Sequence, residues 1–136
     1  MWTKTKKRLE NFICDSLKGR VEFHCSNYRI HDGIGRTYIT VDGIEVYNMC
    51  TLKRDYYSNP KKGLISQVEF MKSVEKYFLS PIDKCLESKD TAMKILVVLD
   101  KRIGKRRLKK MKGKINNETD IIKYFYKLRC DAEGLD

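Results

Sequence analysis

Apolar residues along this chain recur first at helical spacing, then at alternate positions, then at helical spacing again. In residues 3–17, Leu9, Phe12, Ile13 and Leu17 fall on one face while Lys4, Lys7, Arg8 and Lys18 lie mostly elsewhere, which predicts an amphipathic helix. Gly19 stands where a left-handed C-cap is expected. From Val21 to Leu52 the period changes to two: Val21, Phe23 and Cys25 alternate with Glu22, His24 and Ser26. Further on, Thr37 to Val41 leads into Asp42-Gly43 and then Ile44 to Tyr47. Asp-Gly between alternating runs predicts a two-residue hairpin, because both turn positions need positive φ. Plain pairing across that turn sets Val41 opposite Ile44 and Ile39 opposite Val46, all four on one face. Tyr38, Thr40, Glu45 and Tyr47 then share the other. Asp32-Gly33-Ile34-Gly35 joins the first strand to the second, which completes a three-stranded antiparallel meander whose first register is open by one residue.

Beyond a polar loop at Ser58 to Gly63, the helical period returns. Ser66-Gln67-Val68-Glu69 has the spacing of a capping box, and Phe70, Val74, Tyr77 and Phe78 line one face of the helix that follows. Ser80-Pro81 ends it and opens a short helix with Ile82, Cys85 and Leu86 as its apolar side. A longer helix from about Asp90 buries Ala92, Ile95, Leu96, Leu99 and Ile103. The last begins near Asn117, presents Ile121, Ile122, Phe125 and Leu128, and stops at Gly134. The expected fold is α+β over residues 1–136 as one domain: an N-terminal helix, a three-stranded antiparallel meander and a C-terminal helical set.

Charge changes this picture at one place. Lys101 to Lys114 holds nine Lys or Arg residues and no acid, so fourteen residues carry +9 of a formal net charge of +11. Concentration of that kind creates a local positive field, whereas a dispersed excess mainly aids solubility. On a helix, Leu99, Ile103 and Met111 face the core while Arg102, Lys105, Arg106, Lys109 and Lys110 radiate outward, and Arg106 and Arg107 have the fork geometry for phosphate or carboxylate. The plainer alternative is a solvated helix face, partly neutralised by acids such as Glu118, Asp120 or Asp131. Gly104 costs about 1 kcal/mol inside a helix. It marks either a tolerated interior glycine or a break, which would give a helix, a tight turn and a second basic helix as in a helix-turn-helix.

Other constellations are weaker. Tyr38 and Tyr47, as neighbours on an exposed sheet face, would offer base-stacking platforms; covered by helices, they are core. His31-Asp32-Gly33 suits a turn, and His24 and His31 lie roughly 23 Å apart if extended, too far to share a metal ion. Asp32, Asp42 and Glu45 do not converge by pattern, so neither a metal nor a catalytic residue is expected. There is no G-x-x-x-x-G-K-S/T loop and no G-x-S-x-G elbow, and Gly33 and Gly35 lie in a hairpin, so no cofactor is expected. Cys14, Cys25, Cys50, Cys85 and Cys130 are odd in number, widely spaced and beside apolar residues, the pattern of buried free thiols. The longest apolar run, Ile95 to Leu99, is far short of a membrane span, and the basic N-terminus lacks an apolar secretion core. A cytoplasmic protein is expected.

Tyr28-Arg29 with His31-Asp32-Gly33 and Gly35-Arg36, then Ile39 to Gly43 with Glu45, and Asn48 to Thr51, resemble a family of small uncharacterised bacterial proteins. The resemblance resumes at Ser80-Pro81-Ile82, at Leu99 to Leu108, and at Phe125-Tyr126, Leu128-Arg129-Cys130 and Ala132 to Leu135. It spans nearly the full chain, which is shorter than the family pattern between Thr51 and Ser66. It implies a bacterial source and a single-domain unit, and brings no chemistry with it.

Three functions follow in order. The first is a non-enzymatic binding module whose basic helix meets DNA or RNA without sequence specificity, through Arg102, Lys105, Arg106, Arg107, Lys109 and Lys110. The second is a protein–protein module for an acidic bacterial partner such as a toxin, steered by the same cations. The third is a small metal-dependent nuclease using His31 and nearby acids.

Overall fold

Asp42 and Gly43 both occupy the left-handed region, at φ 53° and 82°, and close the two-residue turn expected of that dipeptide. The computed structural model describes residues 2–28, 34–50 and 67–135. Around that turn, β1 (Val21–Tyr28), β2 (Ile34–Val41) and β3 (Ile44–Cys50) form an antiparallel sheet in the order β1-β2-β3. It is preceded by α1 (Trp2–Phe12) and followed by α2 (Gln67–Leu79), α3 (Ile82–Leu86), α4 (Thr91–Leu99), α5 (Lys105–Ile115) and α6 (Asp120–Ala132). The α+β class and the order of helix, meander and helical set are those the periodicity predicts. Of the expected turn Asp32 to Gly35, Ile34 and Gly35 belong instead to β2, while Asp32 and Gly33, the polar loop and Ser66 of the capping box lie outside the described residues.

The register of the second hairpin differs from the plain reading. Val41 pairs with Ile44 and Thr40 with Glu45, but Ile39 pairs with Tyr47, because a bulge lies beyond Thr40. One extra residue flips everything after it to the opposite face. Tyr47 and Met49 therefore join Val21, Phe23, Ile39 and Val41 in the core, while Ile44 is left exposed at the turn. The slip is favourable because it buries Tyr47 and Met49 where plain pairing would put the smaller Val46 and the polar Asn48 on the core face.

The N-terminal helix is also shorter than predicted. It ends at Phe12 because the chain leaves helical geometry to pair with the segment after α4: Cys14 N–H donates to the Leu99 carbonyl at 2.9 Å, and Lys101 N–H to that of Phe12 at 2.7 Å. Leu9, Ile13 and Leu17 are nonetheless all buried. Gly19, at φ 84°, serves the turn into β1 and not a helix end. Along the way α1 guards the edge strand: Lys6 Nζ donates to the Phe23 carbonyl at 2.6 Å and Glu10 accepts from Phe23 N–H at 3.3 Å, occupying backbone groups that an open edge would expose.

The predicted long helix from Asp90 is two helices. Asp100 N–H bonds back to Val97, the chain turns through Asp100 to Ile103, and Gly104 stands as the extended cap before α5, so of the two readings of Gly104 the break is correct. Eight of the nine residues of α4 are buried, and it forms the central rod of the helical set.

Two glycines make opposite demands on the chain, and neither has a neighbour that a Cβ would meet. Gly43→Ala should lower stability by about 1–2 kcal/mol, since only its left-handed φ is at stake. Gly113→Ala, in an ordinary helical turn, should raise it by roughly 0.5–1 kcal/mol. Urea unfolding midpoints check both, and shifts in the same direction would refute this conformational account.

Candidate functional site

The basic window is positioned by the turn before it. Asp100 is 1% exposed, and its carboxylate accepts from Arg102 N–H at 2.7 Å, from the Arg102 guanidinium at 2.7–3.1 Å, and from the Tyr77 hydroxyl of α2. From α6, Arg129 reaches into the same place at 3% exposure. Its guanidinium donates to the carbonyls of Val98 at 2.8 Å, Asp100 at 2.9 Å and Ile103 at 2.6 Å, and to Glu133 at 3.1 Å. The Val98 carbonyl is one of those a helix leaves unpaired at its C-terminus, where a cation also meets the negative end of the helix dipole. Glu133 in turn accepts from the Ser16 hydroxyl at 2.9 Å. Tyr77 of α2, the end of α4, the turn between α4 and α5, Arg129 of α6 with Glu133 just past it, and Ser16 after α1 thus share one polar junction.

Two cations of the window are spent on the protein itself. Arg102, expected to radiate toward an anion, is clasped by Asp100 and lies over the Phe12 ring at 4.5 Å. Hydrogen bonding to Asp100 raises its pKa above the ordinary guanidinium value, with burial opposing. Arg107 pairs with Asp83 of α3 at 3.1 Å, in an exposed and therefore weak ion pair. Asp83 and Asp100 do the neutralising here, whereas Glu118 is taken by Lys94 at 2.7 Å.

The remaining cations of α5 face water. Leu108 and Ile115 are buried and Met111 is partly so, anchoring one side of the helix. Lys105, Arg106, Lys109, Lys110, Lys112 and Lys114 are all exposed and pair with no acid among the described residues. Three of the seven cations, Lys105, Arg106 and Arg107, sit in the first turn, which has no acid. That is the wrong end for helix stability, because the N-terminus already carries positive partial charge. An anion placed there would relieve the repulsion.

The two tyrosines do not form a stacking pair. Tyr47 is buried, and burial pushes its pKa well above the ordinary phenol value. Tyr38 remains on the outer face, but His24 stacks on its ring at 4.8 Å and the Arg36 guanidinium lies 3.9 Å from its centroid. His24 also shares a 2.8 Å hydrogen bond with the Thr40 hydroxyl, and Arg36 reaches Asn48 and Glu45 on β3. Of the acids weighed for a nuclease, Asp42 pairs with Arg20 at 2.9 Å and Glu45 with Arg36, while His31 and Asp32 lie outside the described residues. No cluster able to hold a metal ion occurs among the described residues. Cys14, Cys85 and Cys130 are buried free thiols and Cys25 is a half-buried one.

Periodicity alone did not single out Asp100 or Arg129. A signal for Arg129 was present, since it follows Ile122 and Phe125 on the buried stripe of α6, where a charged residue is conspicuous.

The chain belongs to the SF0329 protein family, whose model matches residues 1–62 and 57–130. No curated protein and no solved structure matches it. No helix among the described residues is long and apolar enough to cross a membrane.

The junction has a pH signature. Burial first, and then hydrogen bonding to Asp100, raises the Tyr77 pKa above its ordinary value of 10.0. The folded chain therefore keeps this proton when the unfolded chain releases it. Stability is intact below about pH 10 and is lost as pH rises beyond it. Urea midpoints should fall above that pH, and Tyr77→Phe should flatten the fall while costing about 1–3 kcal/mol at neutrality. An unchanged alkaline slope in the variant would contradict this role.

Proposed function

We propose that this is a non-enzymatic, cytoplasmic binding module whose helix α5 contacts a polyanion, DNA or RNA, through its phosphates and without reading sequence. The observation that carries the reading is the set of exposed Lys and Arg side chains on α5 that pair with no described acid. Lys105, Arg106, Lys109 and Lys110 are the contacts, with Arg107 contributing when its weak pair with Asp83 opens. Arg102 is left out because its charge is already matched. Phosphate contact suits this surface, since point charges on long flexible stems follow a backbone without fixing a register.

Neutralising four phosphates should give log affinity a slope of roughly −3.6 against log salt on duplex DNA. Replacing Lys105, Arg106, Lys109 and Lys110 with Gln should remove binding to arbitrary oligonucleotides in a mobility-shift assay while the thermal midpoint holds. Arg106→Glu is sharper: it should stabilise the free protein by about 0.3–1 kcal/mol, by placing an acid at the helix N-terminus, and weaken oligonucleotide binding. Salt-independent binding, or binding that survives the fourfold variant, would overturn the proposal.

A further inference from the structure

One flank of α5 does not look out to water alone. Between α3, α4 and α5 lies a groove of about 380 Å³, within the size range of small-molecule sites. Its floor is hydrocarbon: Leu86 from α3, Val97 from α4, and Met111 and Ile115 from α5. Two ion pairs span it near opposite ends of α5. Arg107 meets Asp83 of α3, and Lys94 of α4 meets Glu118 just past the helix. These pairs neutralise their own members and link the walls.

Between those ends, Lys110 and Lys114 line the groove one helical turn apart, and neither pairs with a described acid. An apolar trough with two spare ammonium groups on one wall is complementary to a molecule with a hydrocarbon body and a single anionic head. A phosphate backbone would leave that floor unused.

We propose that this groove binds a medium-chain carboxylate, its hydrocarbon on Leu86, Val97 and Met111 and its headgroup between Lys110 and Lys114. The long lysine stems add apolar wall as well as charge. This site shares Lys110 and Arg107 with the polyanion face, but its apolar floor and Lys114 are its own, so the two can be tested apart.

The test is a titration of isotope-labelled protein with decanoate below its micelle concentration, read by amide and methyl shifts. Saturable shifts are expected at Leu86, Val97, Met111, Lys110 and Lys114. Decyltrimethylammonium, with the same chain and opposite charge, and propionate, with the head and little chain, should each bind at least tenfold more weakly. The exposed double variant Lys110→Glu/Lys114→Glu should lose at least tenfold in decanoate affinity. Lys4→Glu/Lys7→Glu, an equal charge change on α1, should stay within about twofold. Non-saturating shifts, shifts centred on the sheet, equal binding of the cationic amphiphile, or equal losses in both double variants would each overturn the proposal. Decanoate binding by a protein that ignores oligonucleotides would defeat only the polyanion reading, and the reverse result only this one.

Discussion

Arg129 holds its guanidinium inside the protein against the carbonyls of Val98, Asp100 and Ile103, with Glu133 as its counter-charge. A buried guanidinium is costly to desolvate, and it persists because its donors find carbonyl and carboxylate acceptors in place. The carbonyls it reaches lie in the last turn of α4 and in the connection between α4 and α5. Asp100 works on the same reversal from the other side, tying Arg102 and Tyr77 to it. Two backbone bonds from Phe12 and Cys14 attach the N-terminal segment there as well. Remove the guanidinium, and the turn loses one of the two clasps that close it.

That reversal decides what the basic window is. Continued from α4 as one helix, the window would string its charges along the central rod. Turned at Gly104, it becomes a separate surface helix anchored by Leu108, Met111 and Ile115. The turn also sorts the cations by role. Arg102 closes the turn, Arg107 bridges to α3, and the rest face solvent or the edge of an apolar groove. Net charge alone would have counted them as equivalent.

The strands, the Asp-Gly turn and most of the core were legible because they follow from period and turn chemistry, which are local. Val21, Phe23, Ile39, Leu96 and Phe125 lie where periodicity puts them. What escaped depends on pairing across the molecule. The bulge beyond Thr40 is chosen by the gain from burying Tyr47 and Met49, a comparison that no single strand contains. The end of α1 at Phe12 is imposed by Leu99 and Lys101, far away in the chain. Gly104 was visibly ambiguous, and its outcome rests on Asp100 and Arg129. The Leu99 to Leu108 and Leu128 to Leu135 segments that suggested a family turn out to contain the two halves of this junction.

The most direct measurement is amide hydrogen exchange in the native protein and in Arg129→Lys. A lysine has one ammonium and cannot serve three carbonyls and a carboxylate together. If the junction holds α5 in place, protection in α5 and in residues 100–104 should fall at least roughly tenfold more than protection in the β1–β3 sheet. Equal losses in helix and sheet, or an α5 that keeps its protection, would contradict the account.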